Sequence, residues 1–225
     1  TESTSVQEFL SDVLTEELIQ LALMMMGYLL VPDLSADKFF VLAGQGGTGK
    51  TTFFEMFTGM LGPRNWAQVT LQDLAENRFA AAKLEHKLVG AFDDLPATPM
   101  KDASRIKALT GGFPWLDVER KGQDAYRAPM YARLLFTANE IPGSGDKSSA
   151  WYDRLCIIPF ERRFRETPDE DTELPAKLSA EPAQQELLRL ATQGLELLAA
   201  NRWRFPQLQR VEAEVNDYKR DNDSV

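Results

Sequence analysis

Cysteine and histidine are almost missing from this sequence: 225 residues hold one of each, Cys156 and His86. A single cysteine excludes a disulfide framework and a cysteine-based zinc site. One histidine leaves no room for a histidine-ligated metal or a histidine-based nucleophilic triad. Long apolar runs are missing too. The longest, Leu21 to Val31, has 11 residues, against the ~20 that a membrane-spanning helix needs. No membrane partner is expected, no signal peptide is visible, and the lone cysteine fits a reducing cytoplasm. Basic charge is scarce: 25 Lys and Arg stand against 34 Asp and Glu, a net −9. That balance argues against a chain that coats nucleic acid non-specifically. The sequence opens on Thr1 rather than methionine, so a fragment of a longer protein is expected.

What is present reads as an ordinary folded domain, 44% hydrophobic and 26% charged. The charge is unevenly spread: residues 1–100 carry net −7, residues 101–165 net +4 and residues 166–225 net −6. A basic middle between acidic ends can be a nucleic-acid track or a mixed solvated surface.

Apolar residues at three- and four-residue spacings predict helix from Val6 to Leu30, with a break near Thr15, and again from Lys50 to Leu61. Short apolar runs bounded by turn residues predict buried strands at Lys38–Ala43, Leu88–Phe92, Tyr131–Thr137 and Leu155–Phe160. A short helix is expected over Asp102–Leu109. A β-hairpin is expected around Arg120-Lys121-Gly122-Gln123, and helix from Leu174 onward, with Lys219–Val225 as a polar, fraying tail. Strands alternating with helices predict an α/β fold with a mainly parallel, three-layer core. The expected division is a helical segment over 1–37, a core over 38–165, and a helical segment over 166–225 packed on that core. The first segment serves either as an oligomerisation collar or as a cover for the sheet.

Between the first strand and the second helix stands Gly44-Gln-Gly46-Gly47-Thr48-Gly49-Lys50-Thr51, a match to G-x-x-x-x-G-K-[ST] in its required strand-to-helix context. The glycines let backbone N–H groups turn inward around phosphate oxygens, and the helix N-terminus adds partial positive charge. Lys50 is placed to reach β- and γ-phosphates, and the Thr51 hydroxyl to ligate Mg²⁺. The next strand ends in Asp93-Asp94, expected beside the loop's own strand. Two adjacent carboxylates suit Mg²⁺ binding and the orientation of an attacking water, or else a helix cap. Leu134–Ala138 ends in Asn139, an amide placed either to touch γ-phosphate and water or to form an Asx turn. Arg154 precedes the last strand, as a cation for a neighbour's γ-phosphate or as a partner of Asp153 or Glu161.

Taken together and in this order, Gly44–Thr52, Leu88–Asp94, Leu109–Gly112 through Lys121-Gly122, Leu134–Asn139 and Arg154–Phe160 resemble the helicase domain of superfamily 3, in the branch fused to primases in phages, plasmids and poxviruses. The resemblance covers nearly the whole chain. It implies an AAA+-like ATPase, ATP and Mg²⁺ as cofactors, a homo-hexameric ring, and 3′ to 5′ movement on single-stranded DNA during replication. It also implies a primase domain elsewhere in the full-length protein. Gly46, Gly47, Thr48, Gly49, Lys50, Thr51 and Thr52 would bind nucleotide. Thr51, Asp93 and Asp94 would serve the metal, with the roles of the two acids not apportioned. Asn139 would be the phosphate sensor and Arg154 the finger offered to the neighbouring subunit. Lys107 would contact nucleotide across the interface, and Lys121, helped by Arg120, would grip DNA in the pore. Relatives often carry Asn where this chain has Thr48. The alternatives are a P-loop kinase or other NTPase, and a non-catalytic ring or scaffold subunit.

Overall fold

The computed structural model describes residues 6–112 and 114–223. The first five residues of the N-terminal segment, Phe113 ahead of the hairpin, and Ser224-Val225 of the tail lie outside the described residues. In chain order the elements are α1 (Val6–Val13), α2 (Glu16–Leu29), β1 (Phe39–Ala43), α3 (Lys50–Leu61), β2 (Trp66–Gln68), α4 (Leu71–Glu76), β3 (Val89–Phe92), α5 (Ser104–Thr110), β4 (Trp115–Val118), β5 (Tyr126–Pro129), β6 (Arg133–Ala138), α6 (Ser149–Tyr152), β7 (Leu155–Pro159), α7 (Leu174–Ser179), α8 (Glu181–Ala200) and α9 (Gln209–Asp223).

Five strands form one parallel sheet in the order β2-β3-β6-β1-β7. β1 is central, with Val41 in register with Phe136 of β6 and Ile157 of β7. The period-two alternation of a strand sends successive side chains to opposite faces. Phe40, Leu42, Leu135 and Ile158 join an apolar cluster with α1, α2, α3 and α8, while Phe39, Val41, Phe136 and Ile157 join a second cluster with α4, α5 and Trp151. Both faces are therefore covered, and the sheet lies between two helical layers. β4 and β5 pair antiparallel as a separate hairpin between α5 and β6.

Two expectations are corrected. The strand that ends in Asp93-Asp94 is not the neighbour of the loop's strand, because β6 lies between β3 and β1. Linear spacing does not encode strand order, and a long connection from β3 lets β6 enter the middle of the sheet. The tail does not fray within its described part. α9 runs to Asp223, and Asn222 is buried, accepting from Ser144 N at 2.7 Å and donating to Ser144 O at 3.0 Å and the Tyr152 hydroxyl at 2.9 Å. Three elements escaped the sequence reading, among them the single-turn α6. β2 has three residues, too short for a periodic signal. α4 is capped by Thr70, whose hydroxyl accepts from Asp73 N at 2.9 Å.

The second N-terminal helix, α2, is tied to the core by Arg133 and by a close crossing with α8. Arg133, buried at the start of β6, donates to the carbonyls of Val31 and Tyr131 and lies 4.7 Å from the ring centre of Tyr28 on α2. Burial pulls its pKa down to about 10. α2 and α8 also cross with backbones nearly touching, at Gly27 and Gly194. Among the described residues no helix is long and apolar enough to cross a membrane.

A Cβ on Gly194 would overlap the backbone carbonyl of Leu23, and backbone cannot swing aside as a side-chain tip can. Gly194→Val is expected to destabilise the fold by about 3 kcal/mol, read from urea unfolding. A loss below ~0.5 kcal/mol would contradict this packing.

Candidate functional site

In a parallel sheet all strand ends of one polarity lie along one edge, which is where open α/β sheets bind ligands. β1, β3 and β6 end at Ala43, Phe92 and Ala138, so the glycine loop, Asp93-Asp94 and Asn139 emerge side by side. Gly44 N donates to Ala138 O at 3.2 Å, and Leu95 N to Thr137 O at 2.8 Å, which fixes the three exits against each other.

The loop itself turns through left-handed backbone at Gly47 (φ 83°) and Gly49 (φ 90°), a conformation that side chains rarely tolerate. Gly49 is the N-cap of α3, so Lys50 begins the helix and its side chain doubles back into the loop. The ammonium donates to Gly44 O at 2.6 Å, Gln45 O at 2.9 Å and Asn139 Oδ1 at 3.1 Å. Burial lowers the Lys50 pKa from its ordinary value, with the Asp94 and Asp93 carboxylates pulling the other way. The Thr48 hydroxyl closes the turn by donating to Gln45 O at 2.9 Å.

Thr137, buried at the end of β6, organises both acids. Its hydroxyl donates to Asp93 Oδ1 at 2.6 Å and accepts from Asp94 N at 2.7 Å. Asp94 takes left-handed backbone (φ 58°), and Asn139 Nδ2 donates to its Oδ1 at 3.0 Å. Thr51 Oγ1 lies 3.4 Å from Asp93 Oδ1. Adjacent ligands in an octahedron of ~2.1 Å bonds are ~3 Å apart, so these two oxygens fit one Mg²⁺ that keeps waters and phosphate oxygens for its other positions. Among the described residues no group of three or more His, Cys, Asp or Glu could hold a metal.

These residues line a cavity of about 300 Å³ with Gly46, Gly47, Gly49, Thr52 and Arg165. Arg165 was missed in the sequence. Its backbone N and that of Phe164 donate to Gly47 O at 3.3 and 2.8 Å, which brings it to the loop. The signal was Arg162-Arg163-Phe164-Arg165 shortly after the last strand, a dense basic run at the sheet edge that carries the glycine loop.

The other candidate residues lie elsewhere. Arg154 precedes β7, at the opposite end of the sheet, roughly 15 Å from the level of the loop at ~3.3 Å per residue. It donates to Ala150 O at 2.7 Å, and its Nε is buried without a partner among the described residues. Lys107 on α5 is ion-paired with Asp146 at 2.5 Å. Burial works against the Asp146 carboxylate, but Lys107 and donors from Ser148 outweigh it and hold its pKa below the usual range. At the hairpin, Arg120 pairs with Glu85 and lies 5.7 Å from the Tyr126 ring centre, while Lys121 is exposed at the turn.

A family model described as a family of unknown function (DUF5906) matches residues 42–154. Putative helicase 121R of Invertebrate iridescent virus 3 is 30% identical over 131 residues, 54% of this chain and 14% of that protein. Putative helicase 184R of Invertebrate iridescent virus 6 is 32% identical over 81 residues, 35% of this chain and 8% of that protein. The match thus spans a small part of either relative. Among solved structures, the apo A form of the NrS-1 C-terminal region has a TM-score of 0.62 at 14% identity, over 90% of this chain and 49% of that one. A second apo structure of that region gives 0.55 at 12% identity, over 84% and 47%. These structural likenesses show a shared fold.

Thr137→Val keeps the shape of the residue but leaves Asp94 N without its acceptor. A stability loss of about 1–3 kcal/mol is expected in urea unfolding, with Thr137→Ser losing less than half as much. Equal stability of Thr137→Val and the parent would show that the hydroxyl does not bridge the acids.

Proposed function

We propose, starting from the fact that the chain belongs to the DUF5906 family of unknown function, that it is the ATP-hydrolysing motor of a superfamily 3 DNA helicase. The observation that carries this reading is the Lys50 ammonium, held inside the loop by two backbone carbonyls and Asn139 within reach of both acids. The names of the viral relatives support the helicase assignment.

Triphosphate enters the loop and draws Lys50 from the Gly44 and Gln45 carbonyls onto its β- and γ-oxygens. Mg²⁺, when bound, neutralises phosphate charge there. Thr51 and Asp93, whose oxygens are neighbours, would hold it. Asp94, turned by its left-handed backbone and held by Asn139, orients the attacking water. Asn139 touches both Lys50 and Asp94, so it reads phosphate on one side and the water-orienting acid on the other.

Arg154 lies too far from its own chain's loop to act there and serves a neighbour's γ-phosphate in a homo-hexameric ring. Lys107 supports the same interface once released from Asp146. Hydrolysis moves hairpins bearing Lys121, with Arg120 behind it, along single-stranded DNA in the 3′ to 5′ sense. Six lysines around a pore concentrate phosphate contacts although the chain is acidic overall. A primase domain elsewhere in the full-length protein, action in phage, plasmid or viral replication, and a cytoplasmic setting complete the proposal.

ATPase assays on variants test it. Lys50→Ala and Arg154→Ala are each expected to lose about 10³-fold in rate. Mixing them restores turnover, because an intact loop then meets an intact arginine at some interfaces, and single-stranded DNA stimulates the parent chain. Wild-type rate in Arg154→Ala would contradict action in trans. Absence of DNA stimulation together with phosphorylation of a small acceptor would point to a kinase.

A further inference from the structure

The connector between Asn139 and Arg154 contains one helical turn, α6, and no named strand. A helix of four residues is too short to hold itself. Arg154 rests on it, because its guanidinium donates to Ala150 O at 2.7 Å. Where α6 goes, the arginine goes. On one side the connector lies against the segment that leads into α5. Met100 N donates to Gly143 O and Gly145 N to Met100 O, both at 2.8 Å, and Lys107 pairs with Asp146.

On the other side it meets α9. More than half of the residues in this helix are charged, and the two it buries are Tyr218 and Asn222. Both reach the connector. Asn222 accepts from Ser144 N at 2.7 Å and donates to Ser144 O at 3.0 Å, as a neighbouring strand would. Its amide also donates to the Tyr152 hydroxyl at 2.9 Å, which uses both of its hydrogens. The Tyr218 hydroxyl donates to Pro142 O at 3.0 Å, and its ring centre lies 6.1 Å from that of Tyr152 on α6. Ser144, Tyr152, Tyr218 and Asn222 are all buried, so water does not replace these bonds cheaply. Asn139 has less need of them. It follows directly on β6, and its own side chain is held by Lys50 and Asp94. The clamp therefore acts mainly on α6.

From this placement, and resting on the reading of Arg154 as a cation offered in trans, we infer that α9 aims Arg154 at the neighbouring subunit's phosphate, with Asn222 and Tyr218 as the positioning residues. The link runs from Asn222 and Tyr218 through Tyr152 and α6 to the Ala150 carbonyl and the arginine. The C-terminal helix then serves the site of the adjoining copy and not the loop of its own chain.

Mixed-subunit ATPase assays test the inference. Lys50→Ala chains supply the arginine and Arg154→Ala chains supply the loop. Asn222→Ala on the arginine donor is expected to lower the restored kcat about tenfold or more, with KM for ATP unchanged. On the loop donor it leaves turnover as it was. Equal loss from both placements shows a general structural role and overturns the inference. So does loss confined to the loop donor, or no loss from either. If Asn222→Ala does not fold by circular dichroism, Tyr218→Phe decides in the same two placements, since it removes one hydroxyl and keeps the ring on Tyr152. A loss of about threefold or more confined to the arginine donor is expected, and any other pattern overturns the clamp. No restored turnover from the two parent variants defeats the trans reading itself. Restored turnover that ignores Asn222 and Tyr218 defeats only the clamp.

Discussion

A cation buried in a turn of backbone is an expensive arrangement in water-free surroundings, and the Lys50 ammonium is in one. It is held by two carbonyls and an amide oxygen, and its lowered pKa shows that burial outweighs the two nearby carboxylates. Each feature of the surrounding fold is needed to hold that cation in place. Left-handed glycines shape the turn, the first turn of α3 sends the side chain back, and β6 delivers Asn139 from beside β1. On the proposed reading, a triphosphate would exchange these neutral carbonyl partners for full negative charge.

The sheet order matters as much as the loop. Because β6 lies between β1 and β3, Thr137 and Asn139 stand between the lysine and the two acids. Thr137 fixes Asp93 and the Asp94 backbone, and Asn139 joins Lys50 to Asp94. This divides the acids by partner: Asp93 faces Thr51, Asp94 faces Asn139. Sequence alone could not divide them, since both sit at the same strand end.

Much of the fold was readable from the sequence because its signals are local. The five-residue apolar run of β1, the glycines after it and the helical spacing of Phe53, Phe54 and Phe57 each depend on neighbours within a few positions. What was unreadable depends on distant partners. The order of β1, β6 and β3 is set by connections, not by composition. α9 has a mostly charged sequence and is held by Tyr218 and Asn222 reaching the 142–152 loop and helix. The place of Arg165 beside Gly47 depends on a backbone pairing between residues more than a hundred positions apart. For the hairpin, local turn signals sufficed to find β4 and β5, whereas the pairing of Arg120 with Glu85 belongs to the tertiary structure.

The central claim is that the turn over residues 44–52 receives a magnesium-bound triphosphate through its backbone N–H groups. Amide hydrogen exchange of the intact chain, with and without a non-hydrolysable Mg·ATP analogue, measures those groups directly. The account predicts slowed exchange at residues 46–52, with the strands β1 and β6 beneath changing little. Equal exchange across that loop at saturating analogue would contradict it.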